Sequence, residues 1–200
     1  MISAIVLAAG RSRRMGTQKM VLPMHGKPMI AHTVDTLLQT QVEQVLVVVG
    51  RDKQLIVDTL RDRNVQCVVS PDANEEMLTS VRTGLHALTE PTTAVIVALG
   101  DQPAIQVDVV TQMIRCFLDT GAGIIAPVFE GRRGHPLLIS IRYRDEILTE
   151  FEGLGLRGLL VKHAQDVVEL PVACASILDD IDTQADYWRV LQAMRKGCRE

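Results

Sequence analysis

Two hydrophobic rhythms alternate along this chain. Short runs of nearly uninterrupted apolar residues, rich in Val and Ile, occur at Ile2–Ala8, Gln44–Val49, residues 65–69, Ala94–Leu99 and residues 123–128, most of them bounded by glycine. Runs of this length and composition predict strands covered on both faces, as in a parallel sheet. Between them, apolar residues recur every three or four positions. Ile30, Val34, Leu37 and Leu38 share one helical face, and Leu55, Ile56 and Leu60 form a looser one. Leu78, Val81, Leu85 and Leu88 form a third, and Val109, Val110, Met113, Ile114, Phe117 and Leu118 a fourth. After Val128 the alternation loosens. Residues 134–140 read as a strand that doubles back, residues 166–170 as another short strand, and residues 182–194 as a terminal helix.

Alternating β and α segments predict an α/β fold with right-handed crossovers and a mostly parallel, Rossmann-like sheet. No repeat, low-complexity tract or linker divides the chain, so residues 1–200 are expected to form one domain. In open sheets of this kind ligands bind beyond the carboxyl ends of the strands. That rule directs attention to the segments following Ala8, Val69, Leu99 and Val128.

Composition narrows the function classes. With 47% hydrophobic and 22% charged residues among 200, the chain is neither disordered nor fibrous. No apolar run is long enough to span a membrane, and no basic leader precedes the first apolar run, so a cytoplasmic location is expected. Cys67, Cys116, Cys174 and Cys198 form no CxxC pair, which predicts reduced thiols and no structural zinc. The net charge of −3 is unevenly spread: Arg11, Arg13, Arg14, Lys19 and Lys27 all precede the first acidic residue, Asp35. Such a local excess suits an anionic small molecule. Aromatics are only 3%, too few for the stacking surfaces of a nucleic-acid binder.

Four segments and the start of the terminal helix carry candidate chemistry. The first is LAAGRSRRMGTQK, residues 7–19. Gly10 and Gly16 allow close backbone approach, and exposed amides with Arg14 and Lys19 suit a polyphosphate. It is neither a P-loop nor a GxGxxG fingerprint, and a basic surface loop is the plain alternative. The second is LGDQP, residues 99–103, where Asp101 at a strand end suits a hard cation, although the same residues also make a turn. The third is MLTSVRTGL, residues 77–85, in which Thr79 and Ser80 add hydroxyls to a helix N-terminus; Asn74 or Asp72 could cap that helix. The fourth is GRRGHPLLIS, residues 131–140. Finally, Asp182 and Thr183 can cap the terminal helix.

LAAG-x-S-x-RMG-xx-K resembles the signature loop of the nucleotidyltransferases that include sugar-phosphate pyrophosphorylases, methylerythritol-phosphate cytidylyltransferases and molybdopterin nucleotidyltransferases. The resemblance implies a three-layer α/β/α sandwich of the nucleotide-diphospho-sugar transferase type. It implies that Leu7, Ala8, Ala9, Gly10 and Ser12 contact nucleotide, and that Arg14 and Lys19 hold the triphosphate and stabilise the reacting phosphate. Ala8-Ala9, where guanylyl-transferring relatives carry Gly-Gly, looks more like the cytidylyl type. By the same resemblance Asp101 is the metal aspartate for Mg²⁺ or Mn²⁺, with Asp182 a candidate second ligand or acceptor contact. Thr79 and Ser80 lie against the base, although Glu76 stands where the family has glycine. Gly134, His135 and Pro136 resemble the acceptor-side element, with Arg132 and Arg133 supplying charge. The implied activity is transfer of CMP from Mg-CTP to molybdopterin, with a molybdoenzyme or its chaperone as a further partner. Guanylyl transfer to molybdopterin, cytidylyl transfer to a sugar or polyol phosphate, and a non-catalytic nucleotide-binding accessory are the alternatives. A nicotinamide-dependent oxidoreductase fits the α/β pattern but lacks the glycine fingerprint.

Overall fold

The computed structural model of the chain describes residues 1–10, 18–50, 53–71, 76–89 and 91–196. Its strands in chain order are β1 (Ile2–Ala8), β2 (Pro23–Met24), β3 (Lys27–Pro28), β4 (Gln44–Val49), β5 (Gln66–Val69), β6 (Ala94–Leu99), β7 (Ile124–Phe129), β8 (Arg132–Arg133), β9 (Leu137–Ser140) and β10 (Val167–Pro171). The helices are α1 (Met29–Leu38), α2 (Lys53–Leu60), α3 (Met77–His86), α4 (Val107–Thr120), α5 (Arg144–Thr149), α6 (Leu156–Lys162) and α7 (Gln184–Lys196). The terminal helix thus starts two residues later than expected.

The main sheet runs β10-β7-β9-β6-β1-β4-β5, with β8 hairpinned onto β7. β1 pairs in parallel with both β4 and β6, while β9 runs antiparallel between β6 and β7. Beyond β1 the chain moves outward to β4 and β5, then returns to the other flank at β6. The gap between the carboxyl ends of β1 and β6 is therefore the point at which the winding reverses, where open sheets bind ligands.

Strand alternation builds three layers. Ala4, Val6 and Ala8 of β1 face one core with Val45, Val47, Ile96 and Ala98, covered by Ile30, Val34 and Leu37 of α1, Ile56 and Leu60 of α2, and Val110, Met113 and Ile114 of α4. Ile5 and Leu7 face the other, beneath Leu78, Val81 and Leu85 of α3, Ile147 of α5 and Leu159 of α6. All seven residues of β1 are buried, as a central strand with both faces covered requires. This is the α/β fold that the alternating pattern predicted, in the three-layer form that the resemblance implied.

Helix α3 approaches the sheet closely at Gly84, where an added Cβ would lie 2.6 Å from Ile5 Cγ2. Gly84→Ala is expected to cost about 1–3 kcal/mol through overpacking. Urea denaturation measures this, and the midpoint should fall without a change in slope.

A smaller apolar cluster joins Met24 and Met29, at the β2–β3 hairpin and the start of α1, to Ile181 and Val190 of the C-terminal segment. His25 Nε2 lies 2.8 Å from the Leu191 carbonyl, and Tyr187 donates its hydroxyl proton to the Pro23 carbonyl. These contacts seat α7 against the hairpin and hold residues 180–182 near the carboxyl end of β6. Cys67 and Cys116 are free thiols. No described helix is long and apolar enough to cross a membrane.

Candidate active site

β1 and β6 end level with each other, Leu7 pairing with Leu99, and Gly100 N–H donates to the Leu7 carbonyl at 3.0 Å. The next residue, Asp101, therefore stands just above the sheet. Its carboxylate receives a hydrogen bond from Lys19 Nζ at 2.6 Å. The same ammonium donates to the Ile181 carbonyl at 2.8 Å and to Asp182 Oδ1 at 2.9 Å. Lys19 is nearly buried, with 8% of its side chain exposed against 17% for Asp101 and 49% for Asp182.

Ile181 explains how residues 162 positions apart meet. Its side chain is fully buried in the cluster with Met24 and Met29. Its amide donates to the Asp101 carbonyl at 3.1 Å, and its own carbonyl accepts from Lys19. Pinned on both sides, Ile181 carries Asp180 and Asp182 into the site. Asp182 does not cap α7. Asp186 instead accepts from Thr183 N at 2.8 Å while Thr183 Oγ1 accepts from Asp186 N at 3.2 Å, a reciprocal cap that leaves the Asp182 carboxylate for Lys19.

The Gly134-His135-Pro136 element reaches the same place through β9. Because β9 is antiparallel and Leu137 pairs with Val97, the residues before Leu137 project past the carboxyl end of β6. Gly134 N–H donates to the Pro127 carbonyl at 2.9 Å, and His135 N–H to the Ile177 carbonyl at 2.9 Å. A Cβ at position 134 would sit 2.2 Å from Ile177 O, so only glycine permits this approach. His135 is half-buried, and the His135–Pro136 bond is cis.

Electrostatics tie these groups into one site. Burial pushes the Asp101 carboxyl above the ordinary range and Asp180 adds to the rise, opposed by Lys19. Burial pulls the Lys19 ammonium down, but the attraction and hydrogen bonds of Asp101 and Asp182 outweigh it and hold its pKa above the ordinary value. Burial lowers His135 against the pull of Asp180 and Asp101, which favours the neutral imidazole. Among the described residues, the carboxylates of Asp101, Asp180 and Asp182 outnumber the one ammonium of Lys19. Oxygen donors of this kind suit Mg²⁺ or Mn²⁺, which take one or two carboxylates and complete their shell with substrate phosphates. Among the described residues, no cluster of three or more acidic, His or Cys side chains forms a closed metal cage.

Of the other residues singled out in the sequence, Leu7, Ala8 and Ala9 are buried at the end of β1 and Gly10 is exposed. Arg11, Ser12, Arg13, Arg14 and Gly16 lie outside the described residues, as do Asp72 and Asn74. Glu76 occupies the N-cap of α3 in extended conformation, makes no side-chain cap and is exposed; Thr79 is half-buried and Ser80 buried. Arg133 pairs with Glu169 at 2.7 Å. Sequence reasoning missed Asp180, the Ile181 backbone and Gln102, whose positions follow from contacts across the fold.

The family described as MobA-like NTP transferase domain matches residues 4–167. The chain belongs to that family. Molybdenum cofactor cytidylyltransferase of Escherichia coli (strain K12) is 28% identical to this chain over 186 residues, 93% of each chain. The nicotine blue oxidoreductase of Paenarthrobacter nicotinovorans is 25% identical over 95% of this chain and 96% of its own. Among solved structures, Rv0371c of Mycobacterium tuberculosis H37Rv superposes with a TM-score of 0.85 at 27% identity, covering 96% of this chain and 97% of that one. A second crystal structure of Rv0371c is a complex with manganese, at TM-score 0.82 and 25% identity, covering 96% of this chain and 98% of that one. Membership makes the chain a nucleotidyltransferase and thus an enzyme.

Proposed function

We propose that this MobA-like transferase moves CMP from a metal-bound CTP to the phosphate of a molybdopterin-type acceptor, with release of pyrophosphate. The observation that carries the reading is the meeting of Lys19, Asp101 and Asp182 where the sheet reverses its winding, with His135 beside them. Nucleotide lies over residues 7–19, using Leu7, Ala8, Ala9, Gly10, Ser12 and Arg14, and contacts Thr79 and Ser80. Asp101, with Asp182, would hold the divalent ion, which neutralises charge on the α-phosphate and the departing pyrophosphate. Lys19 shares its ammonium between these carboxylates and the incoming phosphates.

Gly134, His135 and Pro136 position the acceptor. A phosphate monoester is largely dianionic near neutral pH, so its oxygen attacks phosphorus without a strong base. A neutral His135 is then a hydrogen-bonding guide, in keeping with its lowered pKa. Acceleration comes from holding two anions in line and neutralising their charge. The choice of CTP rests on Ala8-Ala9 and on the cytidylyltransferase relative.

The test is calorimetric titration of the protein with CTP, GTP, ATP and UTP in Mg²⁺. CTP is expected to bind at least about tenfold more tightly, a difference of roughly 1.4 kcal/mol. Preference for GTP would replace cytidylyl by guanylyl transfer, and no saturable binding of any nucleotide would remove the proposal. A second reading, nicotinamide-dependent reduction, has the oxidoreductase relative behind it. Saturable NADH or NADPH binding would favour it over nucleotidyl transfer.

A further inference from the structure

Gln102 follows the metal-side aspartate, yet nothing in the proposed chemistry uses its side chain. It is 2% exposed. Its Nε2 donates to the Ile177 carbonyl at 3.3 Å, while its Oε1 is buried and has no hydrogen-bond partner among the described residues. A buried amide oxygen left unpaired costs free energy that an apolar side chain of the same size avoids. Packing alone would therefore favour methionine or leucine here.

The Ile177 carbonyl also accepts from His135 N–H, and Gly134 packs against it so closely that no Cβ fits. One oxygen thus links the turn that bears Asp101 to the turn that bears His135. The link runs through the short 3₁₀ turn at Ala175–Leu178, anchored by the fully buried Ile177 side chain. Gln102 is itself fixed from the other side, since its carbonyl accepts from Thr33 Oγ1 on α1 at 3.3 Å.

We propose that Gln102 is a positioning residue: its amide holds the Ile177 carbonyl and so sets the height of His135 relative to Asp101, tuning use of the acceptor rather than the nucleotide. This rests on the acceptor-side role given to His135 above. It accounts for a polar side chain with an orphaned oxygen in an otherwise apolar place. Buried polar groups that weaken packing while fixing a site's geometry are the expected form of such a trade-off.

The test compares Gln102→Glu and Gln102→Met with the parent protein. The glutamate sets an oxygen against the Ile177 carbonyl, and the methionine keeps the volume but removes donor and acceptor alike. Both variants are expected to raise KM for molybdopterin about tenfold with KM for CTP unchanged. In both, the His135 amide should exchange with deuterium at least about tenfold faster, read by NMR on the full chain. Gln102→Met should melt no lower than the parent. Ser176→Ala removes another buried unpartnered oxygen from the same turn without touching the Ile177 carbonyl, and should leave both readouts unchanged. An unchanged His135 amide in both Gln102 variants would overturn the proposal. So would a joint rise of both KM values with a lower melting point, or an equal effect of Ser176→Ala. If the parent shows no turnover with molybdopterin, the proposed reaction fails, and the amide-exchange arm still decides whether Gln102 positions His135.

Discussion

Asp101→Ala is expected to lower nucleotidyl transfer at saturating substrate by at least about a thousandfold, equivalent to roughly 4 kcal/mol of transition-state stabilisation. The carboxylate stands at the carboxyl end of β6, mostly buried, within 2.6 Å of the Lys19 ammonium. Its removal takes away the proposed metal ligand and the partner that fixes Lys19. Removing one member of a buried pair also destabilises the fold. Here the loss is moderated because Lys19 keeps the Ile181 carbonyl and Asp182. Asp101→Asn separates the two effects, since it keeps shape and hydrogen bonding but not charge. Activity should fall nearly as far as in the alanine variant while the melting temperature changes less. Single-turnover kinetics with CTP in excess measures the first effect and thermal unfolding the second. Retention of more than about a tenth of the activity in Asp101→Asn would remove Asp101 from the metal role.

Lys19→Met has opposite effects on two measurements. Transfer should fall by at least about a hundredfold, because the charge proposed to serve the incoming phosphates is gone. Affinity for Mn²⁺ in the absence of nucleotide should instead rise. The ammonium lies within 2.9 Å of both Asp101 and Asp182, where it competes for the oxygens a divalent ion would take. Two unit charges about 4 Å apart interact by roughly 4 kcal/mol at an effective dielectric near 20, so even partial relief is worth a tenfold gain or more. Titration of the Mn²⁺ electron paramagnetic resonance signal reads this directly. Equal or weaker Mn²⁺ binding in Lys19→Met would mean that the two carboxylates do not share one cation position.

Strands β1, β4, β6 and β7 were plain in the sequence because burial on both faces leaves no polar register to misread; β5, an edge strand with no buried residue, departs from that expectation. Equally plain was α4, whose stripe from Val109 to Ile114 is buried. Legibility declined where elements are short. The β2–β3 hairpin has only two residues per strand, and α5 and α6 bury few side chains each. None of them offers enough periods for a hydrophobic rhythm to emerge. Asp101 and His135 were singled out chiefly because the segments that carry them resemble motifs of the family, each beside a glycine next to an apolar run. Asp180 and the Ile181 carbonyl were not. Their importance comes from hydrogen bonds between the two ends of the chain, and from a buried isoleucine whose local context reads only as a helix cap. Gln102 was passed over as part of a turn, since nothing local shows that its amide reaches Ile177.

The central claim is transfer of a nucleotide to a phosphorylated acceptor, and the most direct measurement follows the α-phosphate itself. Incubation with CTP labelled at the α-phosphorus, Mg²⁺ and molybdopterin is expected to move the label into an acceptor-bound product with one pyrophosphate released per label transferred. Label that stays in CTP, with no pyrophosphate above the protein-free control, would contradict the account.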